Sequence, residues 1–251
     1  MTSRRRPSFF TLALCLLVPC TALRADKLAD ASELYTGKEY SKAFANPKDH
    51  PDRPNVLIIG DSISIGYTVP VRKKLHGKAD VFRIPSNGKF AAHGAANLEK
   101  WLGTRHWDVI HFNWGLWDIC YRNPKSKTQG HRDKIDGTLT ATPEQYRQSM
   151  EQIVARLKKT GATLIWCATT PVPEKEAGRK VGDEIKYNAI AAEIMKANDI
   201  AINDLHAHAL KRLPEIQAKV GDVHFKGKGY QHLAEQVAKE IAAALPVAET
   251  K

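Results

Sequence analysis

An α/β fold is what this sequence predicts: a three-layer α/β/α sandwich around a central, mainly parallel five-stranded sheet. Three observations carry that expectation. Short apolar runs alternate with longer stretches of helical periodicity from Asn55 to the C-terminus, the pattern of strands linked by crossover helices. The run Val56-Leu57-Ile58-Ile59 ends on Gly60-Asp61-Ser62 and passes into a helical pattern, as a buried parallel strand feeding a helix does. The length of 251 residues suits a single α/β domain with a full core, even after loss of a leader.

In chain order, residues 1–25 come first. Arg4, Arg5 and Arg6 precede an apolar run from Phe9 to Pro19 and small residues at Ala22 and Ala25, the layout of a secretory signal peptide. The run is shorter than the roughly 20 residues a membrane span requires. Export to the periplasm or medium is therefore expected, with no integral span in the mature chain. Loss of four arginines would lower the formal charge from +11 to +7. That excess is scattered over lysines as on a solvated surface; it would also suit an acidic polysaccharide or anionic envelope, and no nucleic-acid motif accompanies it.

Residues 26–54, polar and carrying Pro47, Pro51 and Pro54, read as an irregular arm, and 55–246 as the domain proper. Strands are expected at 55–59, 80–84, 107–112, 162–168 and 200–203. Helices fit at 63–77, 93–102, 143–160, 183–198, 204–213 and 227–244. Thr142-Pro143-Glu144-Gln145 combines a threonine N-cap, proline at the first helical position and glutamine three residues after the cap, a capping box. The polar stretch between Cys120 and Ala141 is long for a connector and follows a strand end, so it reads as either a substrate-contacting lid or a surface loop. Cys120 and Cys167 read equally as a disulfide or as two buried thiols.

Ser62 sits where a strand ends and a helix begins. Unpaired N–H groups and the positive end of the helix dipole favour developing negative charge there, which suits a nucleophile as well as an ordinary N-cap. Near the other end, Gly221-Asp222-Val223-His224-Phe225 precedes the last amphipathic helix. A serine hydroxyl becomes nucleophilic when a base takes its proton, and imidazole does this near neutrality.

Together these two segments resemble the SGNH (GDSL-like) hydrolases, whose fold is flavodoxin-like, and the resemblance spans the chain from Asn55 to the last helix. It implies Ser62 as nucleophile and His224 as base. It also implies an oxyanion hole made by the N–H groups of Ser62 and Gly88 with the side chain of Asn113. Gly88 otherwise reads as a turn glycine after Asn87, and Asn113 as a strand-end residue bonded to a turn. Family members usually write the third block Gly-x-Asn-Asp and the last Asp-x-x-His. Here the third reads Asn113-x-Gly115, and Asp222 lies two residues before His224 rather than three. Residues two apart share a side of an extended segment, so Asp222 can orient the imidazole; a Ser62–His224 dyad is the other reading. Trp114 and Trp117 either pack in the core or wall a sugar ring.

The resemblance implies a serine esterase working through an acyl-enzyme. The leader, the tryptophans and the lack of an apolar lipid-binding insertion favour an exported enzyme that removes a small acyl group, such as acetyl, from a carbohydrate, and a monomer is expected. A lipase, thioesterase or O-acetyltransferase would use the same machinery, and a non-catalytic carbohydrate-binding relative would keep the fold alone. No cofactor is expected. No metal is either, because His206 and His208 would diverge on a helix.

Overall fold

The computed structural model of the protein describes residues 26–38 and 40–246. The expected signal peptide thus lies outside the described residues. Five strands, β1 (Asn55–Ile59), β2 (Asp80–Arg83), β3 (Val109–Phe112), β6 (Thr163–Cys167) and β7 (Ala201–Asn203), form one all-parallel sheet in the order β2-β1-β3-β6-β7. Two further short strands, β4 (Tyr121–Arg122) and β5 (Thr138–Leu139), pair antiparallel within the 119–141 segment. The expected five-stranded parallel sheet is therefore present.

β1 pairs with β2 on one side and β3 on the other, with Ile58 opposite both Arg83 and His111. After β2 the chain crosses to the far side of β1, so the loops leaving β1 and β3 diverge. That is the topological switch point at the carboxyl ends of the strands, where open α/β sheets bind ligands. β1 is apolar because it is covered on both faces, and Val56 to Ile59 are all buried.

Six helices cover the sheet: α1 (Ser62–Lys74), α2 (Ala91–Leu102), α3 (Pro143–Lys158), α4 (Asp183–Ala197), α5 (Leu205–Leu210) and α6 (Gly227–Ala244). α1 packs against α6, while α2, α3 and α4 lie side by side. Gly66 makes the α1–α6 contact possible, since a Cβ there would stand 2.1 Å from the Tyr230 ring. The capping box opens α3: Thr142 Oγ1 accepts from Gln145 N at 3.3 Å, and Gln145 Oε1 accepts from Thr142 N at 2.9 Å.

The helix expected over 204–213 divides into α5 and a separate turn at Leu213–Ile216. Pro214 has no N–H to donate to Leu210, four residues back, so a continuous helix would lose a bond there. Cys120 and Cys167 are both buried free thiols. The arm contains a 3₁₀ turn at Ala31–Leu34 and a helical turn at Ser41–Phe44.

Candidate active site

Ser62 opens α1 immediately beyond β1. Asp61 caps the helix, its Oδ1 accepting the Ile63 N–H at 2.9 Å. Ser62 itself occupies the first helical position, where the backbone N–H has no acceptor within the helix. Beneath this turn lies a buried guanidinium. Arg83 Nη2 donates to Gly60 O at 2.9 Å and to Ser64 Oγ at 2.7 Å, and Nη1 donates to Ile84 O and Ser86 O. Burial lowers the Arg83 pKa to about 9, so the group remains charged at neutral pH and ties the ends of β1 and β2 together.

His224 approaches from the segment before α6. Its Nε2 is 2.9 Å from Ser62 Oγ, and its Nδ1 is 2.7 Å from Asp222 Oδ1. The same carboxylate oxygen accepts the His224 backbone N–H at 3.0 Å, a short loop that turns the two side chains together despite their close spacing. Burial opposes ionisation of Asp222, but the hydrogen bond and charge of His224 outweigh it and bring the pKa down to about 2. Ser62, His224 and Asp222 thus lie in one hydrogen-bonded line.

The two other expected oxyanion donors are engaged elsewhere. Gly88 N donates to Gly60 O at 2.9 Å, and a Cβ at Gly88 would come within 2.8 Å of that carbonyl oxygen. Close backbone approach accounts for this glycine. Asn113 Nδ2 donates to Cys167 O at 2.6 Å and to Thr169 Oγ1 at 3.2 Å, joining the ends of β3 and β6. Both amide hydrogens have acceptors, and Asn113 does not line the pocket beside Ser62. The carbonyl at the end of β6 thus holds the amide that the oxyanion role of Asn113 would require.

The pocket beside Ser62 has room of about 20 Å³, and its walls include residues that sequence reasoning did not single out. Glu33 comes from the arm, Gln129 and Arg132 from the 119–141 segment, and Arg179 from the loop after β6. The arm does more than precede the domain. Tyr35 stacks on His224 with ring centroids 4.5 Å apart and planes 12° apart, and it does so from a left-handed backbone conformation (φ 53°) that is uncommon outside glycine. Trp117 lines the pocket while packing with Phe90, whereas Trp114 is wholly buried with its indole N–H on Gly88 O. His206 and His208 part as expected, one facing Glu184 and the other stacked on His232.

No protein-family model and no curated protein matches the chain. Solved structures do match. The acetylxylan esterase Axe2 from Geobacillus stearothermophilus superposes with a TM-score of 0.60 at 17% identity, over 75% of this chain and 94% of that one. A lipase/acylhydrolase from Enterococcus faecalis gives 0.61 at 17% identity, over 78% and 100%. A putative GDSL-like lipase from Parabacteroides merdae gives 0.61 at 14% identity, over 79% and 100%. This chain shares the α/β/α fold of these solved esterases and lipases.

Proposed function

We propose that the protein is an exported serine esterase that removes a small acyl group, acetyl in the first instance, from a carbohydrate. The observation that carries this reading is the continuous line from Ser62 Oγ through His224 to Asp222 at the mouth of a pocket. In the proposed reaction His224 Nε2 takes the Ser62 proton as Oγ attacks the ester carbonyl, Asp222 stabilises the imidazolium that forms, and the alcohol leaves with the proton from His224. Water then repeats the sequence on the acyl-enzyme. The Ser62 N–H, free at the helix start, is the first oxyanion donor. Gly88 N–H and the Asn113 amide can join it only by releasing Gly60 O and Cys167 O.

The confined pocket beside Ser62 supports a small acyl group such as acetyl over a long acyl chain. The acetylxylan esterase among the similar folds supports a carbohydrate ester as substrate, and the leader-like first 25 residues support export.

The test is labelling of the purified protein with a serine-reactive fluorophosphonate, followed by hydrolysis of 4-nitrophenyl esters of increasing chain length. Labelling lost in Ser62→Ala and acetate turned over faster than octanoate are the expected results. A folded protein that neither labels nor hydrolyses acetate would be a binding protein instead.

A further inference from the structure

Five charged side chains form one alternating chain, of which Glu33, Arg132 and Arg179 line the Ser62 pocket. Arg122 Nη1 is 2.6 Å from Glu33 Oε2, and Glu33 Oε1 is 3.4 Å from Arg132 Nε. Arg132 Nη1 lies 2.9 Å from Glu176 Oε1, and the same oxygen is 3.0 Å from Arg179 Nη1. The arm supplies one member, the 119–141 segment two and the loop after β6 two. Three guanidinium groups thus face two carboxylates.

The remaining bonds of these arginines do not redress the balance. Arg122 Nη1 also donates to Gly130 O, Arg132 Nε to Gln129 O and Arg179 Nε to Leu116 O, all uncharged carbonyls. Side-chain exposure is 1% for Arg122, 9% for Glu33, 0% for Glu176 and 5% for Arg179, against 17% for Arg132. Among the described residues this cluster therefore holds one more guanidinium than carboxylate, largely removed from water, an arrangement that favours an added anion.

Two further acids line the pocket, Asp222 and Asp61. Asp222 is already bonded to His224, and Asp61 is buried at the start of α1 with its Oδ1 on the Ile63 N–H, where desolvation pushes its pKa up. Arg132 and Arg179 both line the pocket. Among the described residues neither has an acceptor for its Nη2, and neither nitrogen is sealed from solvent.

We propose that Arg132 and Arg179 receive a carboxylate of the substrate, so that the ester cleaved at Ser62 belongs to a carboxylate-bearing molecule such as an O-acetylated uronic acid residue. The proposal rests on the esterase reading and adds the substrate's charge to it. The anion is placed on the alcohol portion, at Arg132, the least covered member of the chain. With Nε and Nη1 of both arginines already engaged, the Nη2 of each is left to donate a charge-assisted hydrogen bond to the carboxylate.

The test compares kcat/KM of the mature wild-type protein for a mono-O-acetylated methyl glucopyranoside and for the matching methyl glucopyranosiduronate, with 4-nitrophenyl acetate as a common reference. The uronate is expected to be preferred at least about 10-fold. The preference should shrink in 0.5 M salt, and it should fall toward unity in Arg132→Gln mainly through a higher KM. The wild-type comparison needs no variant to fold. A preference for 4-nitrophenyl hemisuccinate over the acetate, without a uronate preference, would put the anion on the acyl side and overturn the proposal. Equal rates on the glycoside and the uronate, with no hemisuccinate preference and 4-nitrophenyl acetate hydrolysed, would overturn the proposal and leave the esterase reading standing. A folded protein inert to 4-nitrophenyl acetate and both glycosides would overturn the esterase reading itself.

Discussion

Asp222 Oδ1 lies 2.7 Å from His224 Nδ1 although only one residue separates the two in the chain. The backbone accommodates this because the same oxygen also accepts the His224 N–H, closing a small ring that aims the carboxylate along the imidazole. Sequence spacing alone left a dyad open, and this contact favours a triad.

Asp222→Ala is accordingly expected to lower kcat by about 10³ to 10⁴, as loss of the orienting aspartate does in serine hydrolases. Steady-state kinetics of the folded Ser62→Ala, His224→Ala and Asp222→Ala variants on one aryl acetate check this. A loss below about 10² for Asp222→Ala alone would restore the dyad.

Asn113→Ala is expected to act on stability more than on turnover. Its amide joins the ends of β3 and β6 through Cys167 O, and removing a donor to a buried carbonyl costs about 1–3 kcal/mol. Denaturant unfolding should show that loss while kcat falls less than about 10-fold. A fall of about 10² or more, with stability retained, would mean the amide turns to the oxyanion during reaction.

Tyr35→Ala should weaken catalysis from a position 27 residues before the nucleophile in sequence. Ring stacking of this kind contributes about 0.5–1.5 kcal/mol, so kcat/KM is expected to fall roughly 2- to 10-fold while Tyr35→Phe keeps the wild-type value. Equal values for Tyr35→Ala and wild type would make the arm a bystander.

Acid should destabilise the protein well above the carboxylate range because of His111. This imidazole is wholly buried on β3, with Asn203 Nδ2 donating to its Nε2 at 3.1 Å, and burial brings its pKa down to about 3. The unfolded chain takes up that proton near pH 6.5 while the native one resists until about pH 3. Stability tied to His111 is thus full above 6.5 and declines as pH falls toward 3, by an amount on the order of a few kcal/mol. Asp222, with its pKa lowered to about 2, adds a loss only below about pH 4. Unfolding free energy measured from pH 7 to 4 should slope less steeply in His111→Gln than in the wild type; identical slopes would remove His111 as the cause.

The sequence by itself determined the order of strands and helices, the capped start of α3, Ser62 at the end of β1 and His224 ahead of α6. Each of these follows from a local pattern: an apolar run, a cap, a glycine turn, a helical period. Even the division of α5 from the next turn was present in Pro214. The tertiary structure decided everything that depends on which distant groups compete for one hydrogen bond. Asn113 could reach an oxyanion or the Cys167 carbonyl, and only the register of β3 beside β6 selects the second. Arg83 sits two residues after a strand valine with nothing in its neighbourhood to say that it braces the serine turn. Tyr35, Glu33, Arg132 and Arg179 carry no local signal at all. They come from an arm, an insertion and a loop that meet only because the crossover after β2 opens the carboxyl edge of the sheet at one point, where Glu33 pairs with Arg132 and Arg179 joins them through Glu176.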